Sequence, residues 1–249
     1  MREGGPGRQR LARGLRLAAG AACVACVCAL GSLSAQTGLT AGAYRDLAPR
    51  AGGGTASAGP ARSWQDDLPR AIAWLEVEGT PISYPVMRPD EGEAAHFYLD
   101  HDAWGSPSPW GCPYLDTRCE PQAAHWLVYG HSAGFDSLMF EPLRRAYTTA
   151  VFNGIGSARW TDRAGASVAY EPLCALRVPA GFAPIQQFSL SENEAGPFAL
   201  ALAAEASARA EGWREQAMRA DRILTLATCA SAQTGTDERT LVIFTAADA

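Results

Sequence analysis

Short alternations of apolar and polar residues, separated by turns rich in Gly and Pro, run through the chain from Trp74 onward. Trp74–Thr80 alternates up to a turn at Gly79, and Ile82–Met87 follows at once, which predicts two strands joined by a tight turn. The same kind of run recurs at Pro113–Leu115, His125–Tyr129, Ser167–Tyr170, Leu173–Val178, Ile223–Ala227 and Thr240–Thr245.

Helical patterns are fewer. Ser63 can cap a short helix over Trp64–Ala73, and Met139–Tyr147 predicts another. Glu194–Arg219 is rich in Ala, Glu and Arg and follows Ser191, so it predicts one long helix with a capping box. We therefore expect a mostly β fold, a closed barrel of about eight strands with an N-terminal helix and a long helical insertion.

The first 62 residues have a different pattern. Residues 1–16 hold five Arg and one Glu, a local charge of +4, and residues 17–35 form an uncharged apolar stretch. This order predicts a cytoplasmic basic end and a single-pass transmembrane signal-anchor, which we expect to stay uncleaved although Ser32–Ala35 also resembles a cleavage site. Residues 36–62, rich in Gly, Ala, Ser and Thr, predict a flexible linker, so residues 63–249 would form the domain outside the cell membrane.

Composition narrows the classes of function. A hydrophobic content of 47% argues against disorder over most of the chain, and a net charge of −5 gives no indication of a nucleic-acid partner. All 21 basic residues are Arg, so no lysine is available for covalent chemistry. No metal-ligand spacing is present, and we expect no metal and no cofactor.

Cys229 is the cysteine whose setting favours chemistry. It ends the apolar run Ile223–Thr228 and opens into the small, polar stretch Ala230–Thr236, so the sheet would fix the thiol and leave it open to substrate. By itself this setting fits a buried structural thiol equally well. Cys23, Cys26 and Cys28 lie in the apolar N-terminal stretch, and Cys174 lies in a predicted strand. Whether Cys112 and Cys119 form a disulfide stays open.

Two further residues sit at strand ends. His131 follows the apolar run Leu127–Gly130, and an imidazole there could activate a thiolate and protonate a leaving amine. Arg239 enters the last predicted strand ten residues after Cys229, where a guanidinium could hold a substrate carbonyl or an oxyanion. His96, His101 and His125 lack this setting, and each fits a structural or surface role.

These residues carry a resemblance to a known family. Thr225–Cys229 (TLATC) resembles the TLxTC signature of sortases, Tyr129-Gly130-His131 resembles their strand-end YGH, and Arg239 stands where their catalytic Arg is expected. The stretches WLEVEGTPISYPVM, FYLDH, GCPYLDTR and MFEPL are similar to class B sortases, as is a long helix before the last two strands.

The resemblance implies an eight-stranded sortase-type barrel and a cysteine transpeptidase with Cys229, His131 and Arg239 as catalytic residues. Substrates would be secreted proteins with a C-terminal sorting motif similar to NPQTN or LPxTG, cleaved after Thr through a thioester. The acceptor would be a cell-wall amine. It also implies a substrate-binding set: Thr228, Ala230, Tyr129, Leu99 and His96.

Three alternatives stay open. A pilin-polymerising sortase would differ in the acceptor amine, and residues 36–62 contain no obvious lid of the kind such enzymes often carry. A secreted cysteine protease would use water, although papain-like enzymes place the Cys before the His. In a non-enzymatic surface-binding domain, Cys229 and His131 would merely be packed. If the pair is catalytic, free pKa values of about 8.5 for Cys and about 6.5 for His predict that the neutral pair predominates at neutral pH.

Overall fold

The computed structural model describes residues 38–48, 63–132, 137–231 and 237–247. The predicted basic end at residues 1–16 and the predicted anchor at 17–35 lie outside these ranges. Inside the predicted linker, residues 38–48 form an α-helix, α1, so this part of it is helical rather than irregular. No helix in the described ranges combines the length and apolar character needed to cross a membrane.

The remaining elements belong to the unit at residues 45–249. The strands are β1 (Ala71–Val77), β2 (Ser83–Met87), β3 (Tyr114–Leu115), β4 (His125–Tyr129), β5 (Ala158–Asp162), β6 (Ser167–Pro179), β7 (Ala208–Arg209), β8 (Arg222–Cys229) and β9 (Glu238–Ala246). The helices are α2 (Trp64–Asp67), α3 (Thr149–Phe152), α4 (Glu192–Glu205) and α5 (Trp213–Met218).

The strands close on themselves. They follow the order β5-β1-β2-β3-β4-β8-β9-β6-β7, and β5 also pairs with β6, so eight strands form a closed ring and β7 is an extra strand on β6. The pairs β2–β3 and β4–β8 are parallel, and the others are antiparallel. The prediction of a closed, eight-stranded, mostly β barrel is therefore confirmed.

Two predicted helices near the N-terminal half of the barrel are wrong in extent. The helix predicted over Trp64–Ala73 ends at Asp67, because Leu68 precedes a proline and cannot keep helical angles, and Ala71 already begins β1. The helix predicted over Met139–Tyr147 is a 3-10 turn at Glu141–Leu143 flanked by other turns.

The long helix predicted over Glu194–Arg219 is also wrong as a single element. The Ser191/Glu194 capping box is present, but α4 ends at Glu205 and α5 begins at Trp213. Between them Ala208 and Arg209 pair with β6, and the Arg209 guanidinium donates to the backbone carbonyls of the last turn of α4. Strand pairing and this cap outweigh the helical propensity of an Ala-rich sequence.

Two strand predictions also change. The runs Ser167–Tyr170 and Leu173–Val178 are one strand, β6, because a bulge opposite β9 after Pro172 carries the chain past the proline. Strand β5 was not predicted, since Ala158–Asp162 shows neither an apolar run nor a clear alternation. It forms because it pairs with β1 on one side and β6 on the other, which closes the barrel.

Candidate active site

The end of the β4–β8–β9 sheet brings the three predicted catalytic residues together. Cys229 on β8 and Arg239 on β9 are direct cross-strand partners, so their side chains stand on the same face. Tyr129 on β4 is in register with Ala227 on β8, and extending that parallel register by two residues aligns His131 with Cys229. Cys229 and Arg239 on β8 and β9, together with His131 two residues beyond the end of β4, are here called the Cys229 row.

Specific contacts hold the chain at the end of β4. The Gly130 amide donates to the Ala227 carbonyl at 3.1 Å, and the buried Thr228 hydroxyl donates to the Gly130 carbonyl at 2.8 Å. A Cβ on Gly130 would lie 2.5 Å from the ring of Phe140, so this position must stay free of a side chain. The Phe140 amide in turn donates to the His131 carbonyl at 2.9 Å, which fixes the backbone on both sides of the imidazole.

The loop between β2 and β3 supports the imidazole from another side. The His131 ring hydrogen-bonds to the backbone of Leu99, and Asp100 lies near enough for its charge to act on the ring. Burial lowers the pKa of His131 below its ordinary value, and the Leu99 bond and the Asp100 charge only partly oppose this. A neutral imidazole is thereby favoured at neutral pH, in line with the sequence-based expectation.

The thiol and the guanidinium occupy a half-buried position. Both Cys229 and Arg239 are partly exposed, whereas Thr228 and Ala230 beside the thiol are buried. The Ala230 amide donates to the Glu238 carbonyl at 3.1 Å and is therefore used within the β8–β9 pair. Arg239 donates to the Glu238 carbonyl at 3.0 Å through Nη1.

A polar layer lies next to the Cys229 row. Tyr114 on β3 is the cross-strand partner of Tyr129, and their ring centroids are 5.5 Å apart. Burial raises the pKa of Tyr114 to about 12, the charge of Asp116 acts in the same direction, and the charge of Arg239 opposes them. The Tyr129 hydroxyl donates to Asp116 Oδ2 at 3.1 Å. Tyr114 and Asp116 are not among the predicted site residues, although both lie in the stretch GCPYLDTR that carries the resemblance.

The predicted substrate-binding residues are distributed unevenly. Thr228, Ala230 and Tyr129 flank the Cys229 row, and Leu99 reaches it through its backbone while its side chain is 40% exposed. His96 is exposed three residues before Leu99, and within the described ranges no hydrogen bond or ion pair joins its side chain to the others. The structure thus gathers four of the five around His131 and Cys229.

Other candidate residues have structural settings. His125 is fully buried between the Gln187 carbonyl and the Thr225 hydroxyl, as its expected structural role requires. Cys174 is fully buried in β6, and burial raises its pKa to about 12. Cys112 and Cys119 are both buried and are not joined by a disulfide. In the described part of the chain no group of three or more His, Cys, Asp or Glu residues is arranged to hold a metal ion.

Comparison with known proteins agrees with this arrangement at the level of the fold. No family model matches the sequence, and neither does any curated protein. Among solved structures, sortase B of Clostridium perfringens aligns with a TM-score of 0.62 at 21% identity, over 74% of this chain and 97% of that one. A substrate complex of Staphylococcus aureus sortase B aligns at 0.60 and 20% identity, over 73% and 81% of the two chains. A class B sortase of Streptococcus pyogenes involved in pilus biogenesis aligns at 0.56 and 22%, over 72% and 95%. The chain therefore has the fold of the class B sortases.

Proposed function

We propose that this protein is a cysteine transpeptidase that joins secreted proteins to an amine at the cell surface. The observation that carries the proposal is the pairing of a partly exposed thiol, Cys229, directly opposite the Arg239 guanidinium, beside a β4–β8 register that reaches the thiol when it is extended by two residues to His131. Nucleophile, acid/base and a permanent cation are the groups that acyl transfer from an amide requires. The sortase B-like fold supports the same reaction class.

The proposed reaction has two balanced steps. Cys229 Sγ, as thiolate, attacks the carbonyl carbon of the Thr in the sorting motif, and the peptide C–N bond breaks as protonated His131 gives its proton to the leaving amine. This leaves a thioester on Cys229. An acceptor amine then attacks the thioester, its proton passes to His131, and the thiolate leaves as a new amide bond forms.

Arg239 would stabilise the charge that develops on the carbonyl oxygen in both steps. A guanidinium remains protonated throughout and offers several donors in one plane, so it can hold an oxygen without taking part in proton transfer. Because Arg239 stands opposite Cys229 on β9, its donors would lie beside the oxygen of the carbonyl group whose carbon the thiol attacks.

The substrate and the location extend the proposal. We infer a C-terminal sorting motif similar to NPQTN or LPxTG, a cell-wall amine as acceptor, and a cell membrane location with the domain outside, held by the apolar residues 17–35. A pilin-polymerising role is the second candidate, because one of the solved structures of this fold is of a sortase involved in pilus biogenesis.

The test uses the full chain in a mild detergent with fluorogenic peptides carrying each motif, with and without an acceptor amine. We expect cleavage and an amine-linked product in the wild type, and neither in Cys229→Ala. Cys174→Ala is the matched control, because it removes a thiol that is fully buried in β6. An acceptor preference for a lysine side chain of a pilin over a cell-wall peptide would favour the second candidate.

Labelling of the thiol separates failure of the enzyme from failure of the peptide. A reactive Cys229 without turnover would mean that the motif tested is wrong. An unreactive Cys229 without turnover would overturn the proposal and favour a non-enzymatic binding domain in which the residue is only packed.

A further inference from the structure

An ion pair beside the Cys229 row has no role in the reaction described above. Asp116 is buried, and Arg118 donates to both of its carboxylate oxygens, through Nε to Oδ1 at 2.9 Å and through Nη2 to Oδ2 at 2.8 Å. Tyr129 donates to the same carboxylate. Burial would raise the pKa of Asp116, but these hydrogen bonds hold it below its ordinary value, so the carboxylate stays charged.

The other side of the Arg118 guanidinium meets a different part of the chain. It lies 4.0 Å from the centre of the Phe188 ring, and its Nη1 donates to Gln186 Oε1 at 3.3 Å. Both residues belong to residues 186–190, here called the wall segment, which is part of the connection from β6 to α4. Arg118 therefore joins the wall segment to Asp116 and, through Asp116, to the last residue of β4.

Further bonds show that the wall segment is docked on the connection between β3 and β4. The Glu120 amide donates to the Phe188 carbonyl at 3.2 Å, and the Ala124 amide donates to the Leu190 carbonyl at 2.7 Å. These two amides point from the barrel into the wall segment, so their protection from exchange reports on its docking.

Strand register places the wall segment at the border of the catalytic face. His125 and Tyr129 on β4 point to the same face as Cys229, because the residues of a strand alternate between faces. At the His125 end this face is covered by Phe198 of α4 and by the wall segment. At the other end of this face Tyr129 and Cys229 are both partly exposed. Arg118 therefore fastens the wall segment where the covered part of the face meets the open part.

We propose that Arg118 is a positioning residue that fixes the wall segment as the border of the substrate groove and thereby sets affinity for the peptide. Asp116, Gln186 and Phe188 already engage its guanidinium, so we assign it no part in the bond-making steps. The effect on affinity for the peptide rests on the proposed function, whereas the docking of the wall segment is independent of activity.

The experiment compares Arg118→Met with Arg88→Met in the full chain. Arg88 is the matched control because it donates to the Thr117 and Cys119 carbonyls of the same connection. We expect Arg118→Met to raise KM for the sorting-motif peptide by about tenfold or more with kcat within about twofold. It should also speed exchange of the Glu120 amide by about tenfold or more.

A double-mutant cycle tests the contact itself. Phe188→Leu removes the ring that faces the guanidinium, so its effect on KM should largely disappear in the Arg118→Met background. Additive effects on KM, unchanged KM in Arg118→Met, or equal effects of Arg88→Met on KM and on Glu120 exchange would each overturn the inference. A fall in kcat with unchanged KM would also overturn it, since it would assign Arg118 to the chemical steps.

The two proposals fail in different ways. If the wild type turns over no peptide and Cys229 is unreactive, the proposed function is wrong, and so is the part of this inference that concerns affinity for the peptide. Faster Glu120 exchange in Arg118→Met alone would then still support the docking role. If the wild type turns over peptide but Arg118→Met changes neither KM nor exchange, the positioning role is wrong and the proposed function stands.

Discussion

Replacing His125 by Gln is expected to flatten the acid side of the stability profile of this protein. The imidazole is fully buried, and its Nδ1 lies 2.7 Å from the Gln187 carbonyl, which can only accept, so Nδ1 carries the proton. Nε2 lies 3.0 Å from Thr225 Oγ1 and accepts from that hydroxyl. A second proton would charge a buried ring and require the Thr225 hydroxyl to accept instead of donate, and burial lowers the pKa of His125 from 6.5 to about 4.

The sign and size of the effect follow from the difference between the pKa of His125 in the folded chain, about 4, and its ordinary value of 6.5. Above pH 6.5 the ring is neutral in both the folded and the unfolded chain, and its full contribution to stability is present. Between pH 6.5 and 4 only the unfolded chain takes up the proton, so the free energy of unfolding falls as the pH falls. A difference of about 2.5 pH units, at about 1.36 kcal/mol per unit, gives a loss of about 3 kcal/mol.

Urea denaturation of the wild type and His125→Gln at several pH values between 7 and 4.5 measures the effect. Gln keeps a donor for Gln187 and an acceptor for Thr225 but has no proton to gain, so the free energy of unfolding should fall less steeply with acid. Exposed His96, replaced by Gln, is the matched control and should leave the wild-type slope unchanged. Equal slopes for wild type and His125→Gln, or an NMR titration of the His125 ring with an apparent pKa of 6 or above, would refute the reasoning.

Three further substitutions probe the Cys229 row. Gly130→Ala should lower the free energy of unfolding by about 1–3 kcal/mol, because the added methyl group overpacks against Phe140, and it should also lower kcat. Urea denaturation and peptide cleavage measure the two effects. Gly181→Ala is the control and should change neither, because a Cβ added there meets nothing within 4 Å. Thr228→Val should cost about 1–3 kcal/mol because the buried Gly130 carbonyl loses its hydroxyl donor, whereas Thr228→Ser should stay within about 1 kcal/mol of wild type in the same assay. Arg239→Lys should lower kcat about 100-fold with little change in stability, since an ammonium cannot reproduce the planar donors, and near-wild-type kcat would contradict its role in holding the oxyanion.

The strands that carry the site can be predicted from the pattern of residues alone. The apolar runs before His131 and Cys229 are long enough to be buried, and each ends in small or polar residues, so both candidate groups fall at strand ends without any knowledge of pairing. Arg239 follows Cys229 closely enough for a hairpin, and the antiparallel β8–β9 pair makes the two residues partners. These relations are local, which is why pattern and spacing are sufficient to predict them.

Which strands are neighbours, and what surrounds the site, depends on contacts between distant parts of the chain. The β4–β8 pairing joins residues about 100 positions apart. The sequence of neither strand predicts that the two run parallel, which is the direction that brings the chain after Tyr129 toward the end of β8. Strand β5 and the break between α4 and α5 exist because distant strands pair with Ala158–Asp162 and Ala208–Arg209. The link from Arg118 to the wall segment likewise depends on the position at which the chain leaves β6. Short-range preferences amount to a few tenths of a kcal/mol per residue, and the closure of the barrel overrides them wherever the two conflict.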